Sequence, residues 1–347
     1  MTVALVGLGY WGVKLLRNLT AMLGPEGVLG VERDPQRRDA AARQHPRLAL
    51  VASVEEALAH GDVDSVVLAT PLETHARLAR QVLRAGRHLL VEKPLAASVS
   101  EALELCELAE ERGLTLMVGH TFLFSPRVHR VADSIHQGQI GRVHYATSSR
   151  LALGLHRRDA NVIWDLAPHD FSIVCHLLRE FPLEVQTAAR SLSRNGLPDV
   201  AFVNLTFPSD AVAAVAVSWV APRKVRNTVV VGERGMIVYD DTEPDEPVKI
   251  YDRGVETVES DNFGEHQLTY RYGDTISPHV SAQEPLALEL EHFLCCARSG
   301  ESCLSDGWFG LQIVRILDAA DRSWRSGGRP IAVATLDQRR GVTGRIA

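Results

Sequence analysis

The chain is short of lysine. It has 347 residues and 37 basic side chains, of which only Lys14, Lys93, Lys224 and Lys249 are lysines, so a lysine inside a motif is conspicuous. Positive charge is also outnumbered. The formal net charge is -6 at pH 7, which leaves no basic excess of the kind a nucleic-acid-binding face needs. Cysteine is sparse and odd in number, at five, with no C-x-x-C pair. That pattern excludes a disulfide framework, shows no metal motif and fits reduced thiols in a cytoplasmic protein. Cys106 and Cys175 fall within apolar helical patterns and read as core packing. Long apolar runs are missing too. The longest covers 211–217, far too short to span a bilayer. The chain opens directly on a strand-like run, Val3-Ala4-Leu5-Val6, without the basic and apolar segments of a signal peptide. The expectation is a cytoplasmic protein with neither nucleic acid nor membrane as partner.

What is present is ordinary globular composition, with 46% hydrophobic and 23% charged residues. The length exceeds what one core usually supports, so two domains are expected. Strand patterns over 3–6, 28–31, 63–69, 88–91 and 114–118 alternate with helical patterns over 12–23, 72–85 and 98–113. Asp34-Pro35 reads as a helix start, and Ser98 with Glu101 as a capping box. Such alternation predicts a parallel, doubly wound α/β sheet. After about residue 122 the pattern changes. Helices are expected over 127–137 and 169–179, then strands over 143–149, 184–189, 201–207, 212–219, 229–231, 236–239 and 248–251. Short turns between strands imply antiparallel pairing. Helices over 285–297 and 306–325 close the chain. The reading is a Rossmann dinucleotide-binding domain over 1–122, then an α+β domain over 123–347 with a large, open, mainly antiparallel sheet for substrate binding and oligomerisation.

Gly7-Leu8-Gly9-Tyr10-Trp11-Gly12 fits G-x-G-x-x-G between a strand and a helix. In that setting the glycines serve a tight turn, close approach to a pyrophosphate, and helix–sheet packing. The helix N-terminus offers free N–H groups and the positive end of its dipole to the phosphates. Tyr10 and Trp11 are candidates to line the same cleft. Glu32 lies 20 residues after Gly12, where a carboxylate accepts from ribose hydroxyls and repels a 2′-phosphate. NAD is therefore expected, while neighbouring Arg33 keeps NADP open.

Further motifs carry a resemblance. They are Ala69-Thr70-Pro71-Leu72-Glu73-Thr74-His75, then Val91-Glu92-Lys93-Pro94-Leu95, Gly119-His120-Thr121-Phe122, Trp164-Asp165-Leu166-Ala167-Pro168-His169-Asp170 and Glu284-Pro285-Leu286. Over essentially its whole length the chain resembles the Gfo/Idh/MocA oxidoreductases. The resemblance implies that Lys93 stands beside the nicotinamide and the reacting hydroxyl, that Glu92 and Pro94 shape its loop, and that the Lys93–Pro94 bond is cis. It implies a second catalytic element in Asp165 and His169, and a cofactor-side loop in Thr70, Pro71 and His75. Many relatives carry a glycine-rich stretch before the aspartate and a second aspartate three residues after the histidine; here Trp164 and Ser172 stand instead. The string 161–170 resembles a nucleotide-sugar 3-dehydrogenase branch.

The chemistry expected is hydride transfer at a secondary alcohol, with Lys93, Asp165 and His169 catalytic. His169 is the natural general base, Lys93 steadies the developing alkoxide, and Asp165 binds substrate or orients the base. His120, Arg150 and Asn161 join them as candidate substrate contacts, and Arg157 and Arg158 are further candidates to meet a diphosphate. No metal is expected. The substrate reading is a sugar or nucleotide sugar attacked at C3, with a place in amino-sugar or natural-product biosynthesis. An inositol or aminocyclitol dehydrogenase, or a non-catalytic dinucleotide sensor, are the alternatives. The resemblance also implies that the broad sheet pairs with another copy, as a homodimer or homotetramer.

Overall fold

The computed structural model describes residues 1–154, 161–192, 196–258 and 267–334. The chain divides into two compact units. The first comprises Met1–Phe124 and Gln283–Arg315, the second Ser125–Ala282 and Ile316–Ala347. A single cut at residue 122 thus misses one feature. The chain returns to the first unit near its end, because the faces of the 283–315 helices pack there rather than with their sequence neighbours.

The first unit alternates strand and helix: β1 (Thr2–Val6), α1 (Gly12–Leu23), β2 (Val28–Val31), α2 (Pro35–Gln44), β3 (Ala49–Val51), α3 (Val54–Ala59), β4 (Val63–Leu68), α4 (Leu72–Arg84), β5 (His88–Glu92), α5 (Val99–Glu111) and β6 (Leu116–Gly119). The six strands are parallel, in the order β3-β2-β1-β4-β5-β6. This is the doubly wound order with its switch point between β1 and β4. Val3, Ala4 and Leu5 of β1 are fully buried, as are Val67 and Leu68 of β4, because helices cover both faces of such a sheet. Caps set the helix starts. The Asp34 carboxylate accepts from Gln36 N–H and Arg37 N–H, and Ser98 accepts from Glu101 N–H. The short pair β3 and α3 was not anticipated, although Ser53 accepts from Glu56 N–H as an ordinary N-cap.

The second unit begins with α6 (Pro126–His136), β7 (Val143–Leu153) and α7 (Val162–Leu178). Then come β8 (Glu184–Arg190), β9 (Val200–Thr206), β10 (Val212–Ser218), β11 (Val220–Gly232), β12 (Met236–Asp240), β13 (Val248–Val258) and β14 (Gln267–Ile276). After α8 (Pro285–Ser299) in the first unit, α9 (Gly307–Arg325) leads to β15 (Ile331–Ala332). The nine strands run β14-β13-β12-β11-β7-β10-β9-β8-β15. Every pair is antiparallel except β7 with β10. Helix α7 covers one face at β7, β9 and β10, so those strands alternate buried and exposed residues.

Helix α7 starts seven residues earlier than the expected 169, at Val162. The structure carries Pro168 inside the helix. Its missing N–H removes one backbone bond, and Asn161 caps the true start. The Asn161 side chain accepts from Ile163 N–H at 3.0 Å and Trp164 N–H at 3.1 Å.

Candidate active site

In the first unit the glycine loop joins β1 to α1. Gly7 has φ +93°, and a Cβ there would stand 2.5 Å from the Ala69 carbonyl oxygen. At Gly12 a Cβ would meet the Gly7 carbonyl oxygen at 1.9 Å. Gly9 is different, since a Cβ there would meet only the Arg37 side chain, at 3.7 Å. Thus two glycines are demanded by the backbone, while the third lies open on the side a ligand would approach. The N-terminus of α1 has no side-chain cap and no acidic residue in its first turn, leaving its dipole uncompensated for an anion. These features fit a dinucleotide pyrophosphate.

Glu32 is 6% exposed. Its two carboxylate oxygens accept from Leu8 N–H at 2.9 Å and Asp34 N–H at 3.0 Å. The residue expected to meet the ribose therefore also fixes the glycine loop against β2, and each oxygen retains a lone pair. Arg33 is exposed beside it. Tyr10 is 83% exposed, with the Lys14 ammonium 4.5 Å from its ring centroid and 4.7 Å from that of Trp11. Trp11 donates its indole N–H to Glu92, tying the glycine loop to the end of β5.

The Lys93–Pro94 bond is cis, as the resemblance implied. His75 locks this loop from below. It is 1% exposed, and its ring nitrogens lie 2.8 Å from the carbonyl oxygens of Pro94 and Thr70. Burial lowers its pKa, and those two carbonyls oppose the fall. Pro71 caps α4, and the Thr74 hydroxyl donates to Thr70 at 2.8 Å. His75 thus acts on the site through the two loops it joins.

At the ends of β5 and β6 several polar groups are buried together. Burial pushes the Glu92 carboxyl up to about 7, against the pull of Lys93 and the Trp11 N–H. Gly119 pairs with Glu92 in register, and a Cβ on it would come within 3.2 Å of that carboxylate. Glu289 of α8 is fully buried. The Thr121 hydroxyl donates to it at 2.9 Å, while its other oxygen has no hydrogen-bond partner among the described residues. Burial, and then the charge of Glu92, push Glu289 well above the usual carboxylate range. His120 is 1% exposed and meets Phe309 edge-on at 5.5 Å. Neither of its ring nitrogens has a hydrogen-bond partner among the described residues. Burial and the Lys93 charge bring its pKa down to about 3. Glu289 and Phe309 escaped the sequence reading. They lie in the returning segment, and Thr121 is 168 residues from Glu289, so no local signal joins them.

In the second unit, Asp165 and His169 stand half-buried one turn apart on α7, as neighbours on one helix face. Asp165 accepts from the Trp219 indole N–H at 3.2 Å. Trp219, not anticipated, is 3% exposed. Its ring requires Gly154, where a Cβ would stand 2.7 Å from the indole. Two expected substrate contacts are otherwise engaged. Asn161 caps α7 with its oxygen and donates to Asp321 at 2.9 Å. Arg150 is 6% exposed and pairs with buried Asp170 at 2.7 Å. Both are candidate substrate contacts in sequence, and both are buried where their hydrogen bonds hold the fold. Arg157 and Arg158 lie outside the described residues.

Comparisons with known proteins extend this geometry. The profile of an oxidoreductase family with an NAD-binding Rossmann fold matches residues 1–120. That of the GFO/IDH/MocA C-terminal domain matches residues 128–238. UDP-N-acetylglucosamine 3-dehydrogenase of Acidithiobacillus ferrooxidans is 27% identical, with 90% of this chain and 94% of that protein aligned. A 4-carboxy-2-hydroxymuconate-6-semialdehyde dehydrogenase of Sphingobium is 36% identical, but the match spans 40% of this chain and less than half (44%) of that relative. Among solved structures, GenD2 from gentamicin A biosynthesis, determined in complex with NAD, has a TM-score of 0.80 at 26% identity, covering 96% of this chain and 97% of that one. No described helix is long and apolar enough to cross a membrane.

Proposed function

The chain belongs to the Gfo/Idh/MocA oxidoreductase family, and on that premise we propose that it interconverts a secondary alcohol and a ketone at C3 of a sugar or nucleotide sugar. The observation that carries this reading is the pairing of Asp165 and His169 on one face of α7, in a chain that also presents Lys93 on a cis Lys–Pro loop. NAD, when bound, supplies the hydride acceptor or donor. Lys93 donates a hydrogen bond to the reacting oxygen and stabilises the alkoxide charge as the C–H bond breaks. His169 takes the hydroxyl proton in oxidation and returns it in reduction. Asp165, held by Trp219, fixes a substrate hydroxyl or the base. His120 offers its buried ring nitrogens to the ligand beside Lys93. The 3-dehydrogenase relative supports a sugar substrate, and a 3-keto sugar suits amination in a biosynthetic pathway.

The test is incubation with NAD or NADP and a panel of free sugars, cyclitols and nucleotide sugars, read by absorbance of the reduced cofactor. Reduction with a nucleotide hexose alone supports the full reading. Reduction with a cyclitol alone replaces the sugar by an inositol. Silence in both directions, with keto sugars and reduced cofactor included, removes the dehydrogenase reading in favour of a sensor.

The sheet face away from α7 exposes Tyr145, Phe202 and Val212, at 43%, 57% and 49%. Tyr145 and Val212 are register partners on β7 and β10. A second copy covering this face gives a homodimer or homotetramer, and a monomeric mass by light scattering removes that assignment.

A further inference from the structure

Helix α8 carries His292 and Cys296 four residues apart, hence on one face. The helix ends at Ser299, and Gly300 takes the left-handed conformation at φ 74°, returning its N–H to the Cys296 carbonyl at 2.8 Å. That reversal lets the chain double back. It brings the Cys303 thiol to the helical pair, so that one ligand atom from each of the three residues lies within 4.8 Å of the others. The sequence hides this arrangement, because the spacing matches no familiar cysteine motif.

We propose that His292, Cys296 and Cys303 form a binding site for a thiophilic divalent cation of the zinc class.

Three features support it. The Cys296 sulfur stands 3.5 Å from His292 Nε2. A tetrahedral zinc with Zn–S of about 2.3 Å and Zn–N of about 2.0–2.1 Å has an N···S edge of roughly 3.6 Å, so the metal-free groups already hold the required separation. The imidazole is also in the right state. Leu304 N–H donates to His292 Nε2 at 3.0 Å, so that nitrogen is an acceptor and the ring proton resides on Nδ1. A cation takes over this lone pair, and the Leu304 amide gives it up. Finally, the donor set is soft and sheltered, with Cys296 2% and Cys303 8% exposed while His292 is half-buried at the edge. Two sulfurs and one nitrogen suit zinc or cadmium and disfavour magnesium or calcium. Three protein ligands leave a fourth tetrahedral position for a small ligand.

Binding converts each thiol to a thiolate and releases its proton to solvent. The cation would clamp the segment after α8 to that helix. Ser305 in this segment exchanges hydrogen bonds of 2.8 Å with Val118 of β6, so the clamp reaches the strand that leads into His120.

The experiment uses the full chain, reduced and stripped with a chelator, then titrated with Zn²⁺ or Co²⁺ alone. The expected result is one ion retained per chain through desalting. The Co²⁺ form should show the sulfur-to-metal charge-transfer absorption of a two-thiolate site. Cys296→Ser and Cys303→Ser should each weaken affinity by more than the roughly 10–100-fold that loss of an outer-shell partner causes. Cys295→Ser, at an exposed thiol outside the cluster, should leave it unchanged. No retained ion, a Co²⁺ spectrum without thiolate bands, or undiminished binding in the Cys296→Ser/Cys303→Ser protein overturns the proposal. The spectrum of the unsubstituted chain decides the matter even if a variant fails to fold, and no arm depends on the sugar reading.

Discussion

Replacing His120 by leucine separates a histidine kept for packing from one kept for a ligand. Both ring nitrogens are buried without partners among the described residues, and each such group costs about 1–3 kcal/mol in lost hydration. Leucine removes that penalty and forfeits the edge contact with Phe309, worth about 1 kcal/mol. The ligand-free protein should therefore gain on the order of 1–5 kcal/mol of stability at neutral pH. The pH dependence gives a second handle. A folded-state pKa of about 3, against an ordinary 6.5, means that the unfolded chain takes up this proton first as pH falls. The contribution is fully present above pH 6.5 and is lost on the way down to about 3. Between about pH 7.5 and about pH 5.5 this one group should withdraw about 1.4 kcal/mol of stability. The leucine variant lacks that slope. Urea midpoints at the two pH values, for both proteins, measure the difference directly. In turnover, the lost hydrogen bond to a ligand should lower kcat/KM by about tenfold or more. A variant destabilised by more than about 2 kcal/mol with unchanged kcat/KM would show that His120 is a packed core residue, and the reasoning would fail.

Three further outcomes are expected. Lys93→Ala should abolish turnover while leaving NAD affinity, read by fluorescence titration, within a few-fold; retained turnover removes the role assigned to Lys93. Gly12→Ala should lose cofactor binding, because the added carbon would stand 1.9 Å from a backbone oxygen that cannot yield; unimpaired binding would mean that the glycine loop is held differently. His176 of α7 is buried with its pKa lowered to about 4, by burial and then the charges of His129, His136 and Arg179. It therefore contributes stability above about pH 6.5 that is lost as pH falls towards 4, on the order of 3 kcal/mol, and His176→Phe should flatten that limb in acid denaturation.

The first unit was legible in sequence because its signals are local. The positive φ of Gly7 is a property of that residue's own backbone, and the capping residues Asp34 and Ser98 bond N–H groups within three residues of themselves. The same locality explains the shortened reading of α7. The expected start at 169 overlooks Asn161, whose bonds to Ile163 and Trp164 set the helix start about two turns earlier. The returning segment was illegible as part of the first unit, since nothing near residue 283 says which core its helices cover. Glu289, Phe309 and the cluster of His292, Cys296 and Cys303 all come from that segment.

The candidate residues divide into two groups by what the fold does with their hydrogen bonds. Asn161 and Arg150 have the chemistry of substrate contacts, but the fold uses it: one as a helix cap, the other in an ion pair between β7 and α7. In sequence an arginine that binds a phosphate and one that neutralises a buried aspartate are indistinguishable, because the partner is chosen by strand register. His120 and Glu289 are the reverse case. Folding has buried them and left ring nitrogens and a carboxyl oxygen unanswered, although buried polar atoms are nearly always satisfied. Hydrogen-bonding capacity that folding does not use is capacity held for a ligand or a proton. Function here should thus be sought less in the polar residues that the sequence makes prominent than in those whose bonds the fold leaves over. By that criterion the ends of β5 and β6, beside which His120 and Glu289 are buried, are the first place in this unit to test for a ligand.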